Sequence, residues 1–169
     1  MNLLRTVGVA AMVSVAFPGC KQRPQRGTEA IRGAAIYMEK CAVCHGQDGL
    51  SPLPSCPPLR DSEWLAGRNE PLIAIVLDGL RGPLVVKGNT YNGLMPAWRD
   101  VLSDEEIASV LNFLRLQWST SDKLISASET AELRKKTKMR QTFWTDSELR
   151  EAWNAAETES VDSALKPGK

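Results

Sequence analysis

The chain has 169 residues, 43% of them hydrophobic and 24% charged, with 21 Lys+Arg against 20 Asp+Glu. That length suits one domain with an appendage, and a formal charge of +1 is not the basic excess of a dedicated nucleic-acid binder, so no nucleic-acid partner is expected. One histidine, His45, excludes any centre built from two imidazoles, while four cysteines, Cys20, Cys41, Cys44 and Cys56, leave disulfide, metal and redox readings open.

Residues 1–19 read as an export segment. Arg5 supplies a positive start and Thr6 to Phe17 a largely apolar stretch. It is too short for a spanning helix, which needs roughly 20 apolar residues. The stretch closes on Phe17-Pro18-Gly19-Cys20, with a small residue directly before a cysteine. This resembles the lipobox of bacterial lipoproteins, although Pro18 departs from the usual pattern. The resemblance implies Cys20 as a lipid-bearing mature N-terminus that attaches the protein to a membrane. The expected location is the periplasm, the outer face of the cytoplasmic membrane or the outer membrane. Export also takes the cysteines out of the reducing cytosol. Residues 20–27, polar with Pro24 and Gly27, read as a flexible tether.

A helix is predicted over Thr28 to Lys40, with Thr28 as N-cap. Its apolar face is Ile31, Ala34, Ala35 and Met38, at i, i+3, i+4 and i+7. It runs into Cys41-Ala42-Val43-Cys44-His45, and C-x-x-C-H is the signature of covalent haem c attachment. Two thiols three positions apart reach two vinyl groups on one porphyrin edge, and the adjacent imidazole falls under the iron. A redox C-x-x-C pair would want a βαβ setting, which the surrounding sequence does not suggest. A zinc site would need a fourth ligand, with Cys56 the nearest thiol. With the other cysteines assigned to lipid and haem, Cys56 reads as an unpaired, buried thiol.

Glu70 to Asp78 reads as a short buried helix ended by Gly79. No strand pattern reaches six residues, although Leu84 to Lys87 suits a small hairpin arm. The second axial ligand has to come from a residue other than histidine. Met1 and Met12 lie in the export segment, Met38 sits three residues before Cys41, and Met139 falls in a basic stretch far downstream. Met95 remains, between Gly93, where the backbone can approach closely, and Pro96, which stiffens the loop. A His/Met pair raises the haem potential relative to stronger donors. Ser103 to Trp118 carries the strongest helix signal. Ser103-Asp104-Glu105-Glu106 is a capping box, and Ile107, Val110, Leu111, Leu114 and Trp118 form the apolar stripe.

Beyond Trp118 the sequence turns polar, and residues 119–157 read as a helical extension. One helix is predicted over Ala127 to Arg140 and another from the Thr145-Asp146-Ser147-Glu148 box to about Glu157, with 158–169 disordered. Ala131, Leu133, Leu149, Ala152 and Trp153 offer modest apolar faces to the preceding domain. The basic run Arg134 to Arg140 reads as a solvated helix face, or more sharply as a docking patch for an acidic partner or anionic lipid.

From about Thr28 to Trp118 these motifs resemble the class I c-type cytochromes. The resemblance implies a mainly α protein of cytochrome c fold, three to five helices around one covalent haem c, here followed by a short helical extension. Trp64 to Gly67, Gly82 to Val86 and Met95 to Trp98 are more closely similar to small bacterial cytochrome c domains that accept electrons from periplasmic dehydrogenases or accompany copper oxidoreductases. By the same resemblance His45 and Met95 ligate iron, and Cys41 and Cys44 carry the thioethers. The carbonyl of Pro57, or of Pro58, accepts the Nδ1–H of His45, Leu59 packs on the macrocycle, and Tyr91 and Trp98 bond a propionate. Trp64 forms another wall, Gly33 and Tyr37 cross Phe113, and Arg81 stays a surface residue. The expected function is one-electron transfer between redox proteins, a dehydrogenase or cytochrome complex as donor and an oxidase or reductase as acceptor, rather than catalysis. The alternatives are a haem subunit of a periplasmic dehydrogenase, nitrite reductase or oxidase, and a catalytic or gas-sensing haem should Met95 let go.

Overall fold

The structure, a computed structural model, describes residues 26–153. The export segment, Cys20, most of the tether and the tail 158–169 therefore lie outside the described residues. The element order is α1 (Arg26–Ile36), a π-helical turn (Tyr37–Cys41), α2 (Ala42–His45), α3 (Glu63–Ala66), α4 (Asn69–Asp78), β1 (Leu80–Val86), β2 (Asn89–Met95), α5 (Asp104–Trp118) and α6 (Ala127–Lys136). A last helical stretch follows at 146–153. The mainly α expectation holds. No helix among the described residues is long and apolar enough to cross a membrane.

The first helix departs from its predicted form at both ends and on its buried face. It is already helical at Arg26, so Thr28 lies inside it rather than capping it, and the tether is shorter than expected. It changes to π geometry at Tyr37. Ile31 and Met38 are 72% and 48% exposed, so the predicted stripe does not face the core. The buried positions are Gly33 and Tyr37. A Cβ on Gly33 would lie 2.2 Å from the Ser109 carbonyl oxygen and 2.8 Å from Phe113 Cβ, so α1 and α5 cross backbone to backbone there. Tyr37, Phe113 and Trp118 close around the crossing with ring centroids 5.2–5.9 Å apart, each such pair adding about 0.5–1.5 kcal/mol beyond its burial. Close approach of the axes outweighed the apolar count.

Helix α5 matches its sequence signals. Ser103 Oγ accepts from Glu106 N while the Glu106 carboxylate accepts from Ser103 N. Arg115 on this helix is fully buried. Its guanidinium donates to Leu65 O at 2.9 Å, Asn69 Oδ1 at 2.6 Å, Gly67 O at 2.9 Å and Lys123 O. Carbonyl dipoles stand in for a counter-ion, and burial pulls its pKa below the usual guanidinium range. Through it α5 holds the α3–α4 connection, and Leu65 and Leu72 on either side of that connection line the cavity.

The predicted absence of long strands was wrong. β1 and β2 pair antiparallel over seven residues each, from Leu80↔Met95 to Val86↔Asn89. Leu84 and Val86 turn inward while Val85 is exposed, but Gly82, Pro83 and Gly93 break the alternation that would signal strands. Met95 therefore ends a strand instead of sitting in a free loop.

The extension wraps back as a strap. Helix α6 stops at Lys136, four residues short of its predicted end. The second capping box forms, with Thr145 N donating to Glu148 at 2.9 Å and Glu148 N to Thr145 Oγ1 at 3.3 Å. Leu133, Leu149 and Trp153 are buried, whereas Ala131 and Ala152 are exposed. Trp144 bridges Leu80 in parallel, its N–H donating to Gly79 O and its carbonyl accepting from Arg81 N. The basic run is not one solvated face: Arg134 pairs with Asp104 at 2.7 Å and Arg140 with Glu148 at 2.8 Å.

Gly33→Ala tests the crossing. In an exposed helix interior this change gains up to about 1 kcal/mol; here the added methyl group should instead cost at least about 2 kcal/mol in urea unfolding. An unchanged or raised midpoint would contradict the close approach.

Candidate functional site

The site begins where α1 loses α-helical register. A π turn inserts an extra residue into the helix, a feature often found at functional sites, and it delivers Cys41 to the start of α2. Helix α2 carries Cys44 and His45, and Gly46 ends it at φ +75°. Tyr37, buried below, donates its hydroxyl to Gly46 O at 2.5 Å, and burial raises its pKa well above the usual phenol range. The loop after α2 folds back on the motif: Ser51 N donates to His45 O at 3.0 Å and Ser51 Oγ to Cys44 O at 2.9 Å. The motif is thus pinned from both sides of the chain.

Cys41, Cys44 and His45 line one cavity of about 380 Å³, within the range of cofactor pockets. Its walls are Leu72 and Val76 of α4, Leu84 and Val86 of β1, and Val110, Leu111 and Leu114 of α5. Among the described residues that line it, Lys40 is the only Asp, Glu, Lys or Arg. Pro57, Pro58, Leu59, Trp64, Tyr91, Met95 and Trp98 also line it. Every candidate among the described residues is therefore brought together, and the one outside them is Cys20. Met95 arrives from a separate wall, at the end of β2. Arg81 and Met139 do not line the cavity, and Met139 is 80% exposed.

The electrostatics follow from burial. Desolvation holds the His45 pKa below the usual 6.5, opposed by the Pro57 backbone carbonyl. The imidazole is neutral at pH 7 and keeps one nitrogen lone pair for donation. Burial, reinforced by neighbouring Cys44, pushes the Cys41 thiol up to about 11. The Cys56 thiol is also raised by burial. Its sulfur sits 3.3 Å from His45 Nδ1 and 4.0 Å from Nε2, a contact the sequence did not signal. Among the described residues no group of three or more His, Cys, Asp and Glu side chains is arranged to hold a metal ion. What the cavity offers instead is three thiols, those of Cys41, Cys44 and Cys56, with one imidazole and one thioether in apolar surroundings.

Two further observations bear on fit. The Tyr91 hydroxyl and the Trp98 indole N–H have no hydrogen-bond partner among the described residues, and both side chains line the cavity. A flat apolar group with anionic edges would satisfy them. The Trp64 indole, by contrast, already donates to Val85 O at 3.2 Å. At the mouth, Val43, Leu53 and Leu94 line the cavity while 77%, 42% and 63% exposed. Sequence reading missed these rim residues, because an exposed apolar side chain carries no periodicity. It missed Leu84 and Val86 for want of a strand signal.

Residues 28–114 match the family described as cytochrome C oxidase, cbb3-type, subunit III. Cytochrome c-552 of Thermus thermophilus is 42% identical over 113 residues, covering 62% of this chain and 85% of that protein. The gluconate 2-dehydrogenase cytochrome c subunit of Pantoea cypripedii is 37% identical over 118 residues, 65% of this chain and 25% of the subunit. The alcohol dehydrogenase (quinone) cytochrome c subunit of Gluconobacter oxydans (strain 621H) is 31% identical over 111 residues, 64% of this chain and 23% of the subunit.

Proposed function

The chain belongs to the class I c-type cytochromes, and on that footing we propose that it passes single electrons between redox proteins of a bacterial cell envelope, with His45 and Met95 as the residues that would hold the iron of its haem c. When bound, the haem supplies a reversible one-electron iron couple. The observation that carries the ligand assignment is the meeting of Cys41, Cys44, His45 and Met95 in one apolar cavity.

Each chain group has a physical task in this reading. Cys41 and Cys44 anchor one edge of the macrocycle. Burial keeps His45 neutral, and the Pro57 carbonyl orients the ring so that Nε2 is left for iron. Leu59 and the aliphatic walls exclude water, which favours a neutral over a charged centre. Tyr91 and Trp98 supply donors for a carboxylate edge. Ligation by both His45 and Met95 would leave no open position on the iron for substrate, which supports a carrier rather than an enzyme. The extent of the match to cytochrome c-552, against a quarter or less of the dehydrogenase subunits, favours a compact monohaem carrier over a fixed oxidoreductase subunit.

Electrons leave where the cofactor edge meets solvent. The exposed rim of Val43, Leu53 and Leu94 carries no charge, so docking there relies on apolar contact. The basic run contributes less than its sequence suggests, because Arg134 and Arg140 are engaged within the molecule. Cys20, following the export segment, would hold the carrier at the membrane through its lipid.

Three outcomes are expected. The reduced wild-type protein does not bind carbon monoxide at neutral pH, whereas Met95→Ala does; uptake by the wild type would favour the catalytic or gas-sensing alternative. Electron self-exchange between oxidised and reduced copies, measured by NMR line broadening, changes little with salt in the wild type. The double change Val43→Glu and Leu94→Glu slows it roughly tenfold at low ionic strength, and an unaltered rate would move the docking face elsewhere. Mass spectrometry of the mature protein finds a diacylated N-terminal Cys20; an unmodified residue there, or a start at another position, would refute lipid anchoring.

A further inference from the structure

The strap does more than cover the haem domain, because it grips one particular segment. Residues 96–102 follow Met95 directly. On their inner side they lie against the end of α4: Trp98 N donates to Val76 O and Arg99 N to Leu77 O, both at 3.0 Å. Gly79, at φ +75°, is packed so tightly that a Cβ there would lie 2.5 Å from Met95 O and 2.6 Å from Phe143 of the strap.

On the outer side two arginines clasp each other's backbone. Arg99 pairs with the buried Asp78 carboxylate at 2.7 Å and donates to Arg134 O at 3.1 Å and Thr137 Oγ1 at 2.6 Å. Arg134 pairs with Asp104 at 2.7 Å and donates to Leu102 O at 2.8 Å and to Arg99 O. Trp144 adds its indole N–H to Asp78 at 3.4 Å. One arginine stands on the Met95 segment and the other on the strap. Each caps the other's chain, and each is held by a partly or fully buried carboxylate.

We propose that Arg99 and Arg134 are positioning residues for Met95, fixing segment 96–102 so that the sixth position of the iron stays closed. The inference rests on Met95 being the distal ligand. For Met95 to swing aside, the segment that follows it has to leave the α4 carbonyls, and this cannot happen while both guanidinium groups remain engaged. The rate at which an outside ligand replaces the thioether is then governed by the fraction of molecules with the clasp open. Charge-assisted, forked hydrogen bonds make that fraction small.

The test is imidazole binding to the ferric, haem-loaded protein by stopped flow, comparing wild type, Arg134→Gln, Arg99→Lys, Met95→Ala and Phe113→Leu. Arg134→Gln and Arg99→Lys should take up imidazole roughly tenfold faster than wild type, while at rest they keep the far-red absorption of a thioether-bound iron. Phe113→Leu weakens the α1–α5 crossing outside the clasp and should leave the rate within about twofold. Wild-type rates in both arginine variants, with Met95→Ala fast, would overturn the clasp and spare the ligand assignment. An equal acceleration in Phe113→Leu would overturn it too, by showing general loosening. A Met95→Ala rate equal to wild type would overturn the ligand assignment and the clasp with it. If Arg134→Gln fails to accumulate with haem, Arg134→Lys, which keeps the charge and loses the fork, carries the comparison.

Discussion

The molecule is organised around one imidazole that burial keeps neutral. A cytochrome with a single histidine has one strong nitrogen donor to place, and everything about His45 protects it for that use. The α1–α5 crossing sets the floor on which the motif rests, and Tyr37 ties the end of α2 to that floor. Pro57 meets the ring from the following loop. A protonated imidazole would be a buried, unpaired charge, which the apolar walls make costly. The same walls make it costly for water to reach the opposite side, where the proposed second ligand is the Met95 sulfur.

That division of labour explains the shape of the rest. The proximal half is built from local sequence, with Cys41 to His45 and the loop to Leu59 lying within a short stretch of chain. The distal half is built from contacts distant in sequence. Met95 is held by a hairpin, by the carbonyls closing α4 and by a strap whose residues lie 30 or more positions downstream. A thioether is a weaker donor than an imidazole, so it gains more from having its backbone immobilised. Cys56 stands apart from this scheme: its sulfur touches His45 Nδ1 at 3.3 Å, where it adds a polarizable neighbour.

The sequence was most legible where a single local rule decides the outcome. The C-x-x-C-H spacing, the Ser103 capping box and Gly79 at the end of α4 each act within a few residues, and each appears in the structure at its expected position. Met95 was singled out by elimination, because histidine was exhausted and the other methionines were badly placed, and it does line the cavity. Reading failed where two segments meet. The buried face of α1 is set by Gly33 meeting Ser109 and Phe113; the family resemblance implied that crossing, but no count of apolar residues on α1 can show it. A small hairpin arm was legible at Leu84 to Lys87, but its full length was hidden because Gly82, Pro83 and Gly93 interrupt the alternation. The roles of Arg99, Arg115 and Arg134 were invisible for a similar reason: an arginine buried against backbone carbonyls looks, in sequence, like any surface cation.

The most direct test of the account is a proton NMR spectrum of the reduced protein with methyl-labelled methionine, assigned by substituting each methionine in turn. A methyl group bonded through sulfur to ferrous haem iron lies over the ring and is shifted far upfield. The account predicts one such resonance, lost in the Met95 variant and retained when Met38 or Met139 is replaced. An upfield methyl that survives replacement of Met95, or a spectrum with none, would contradict it.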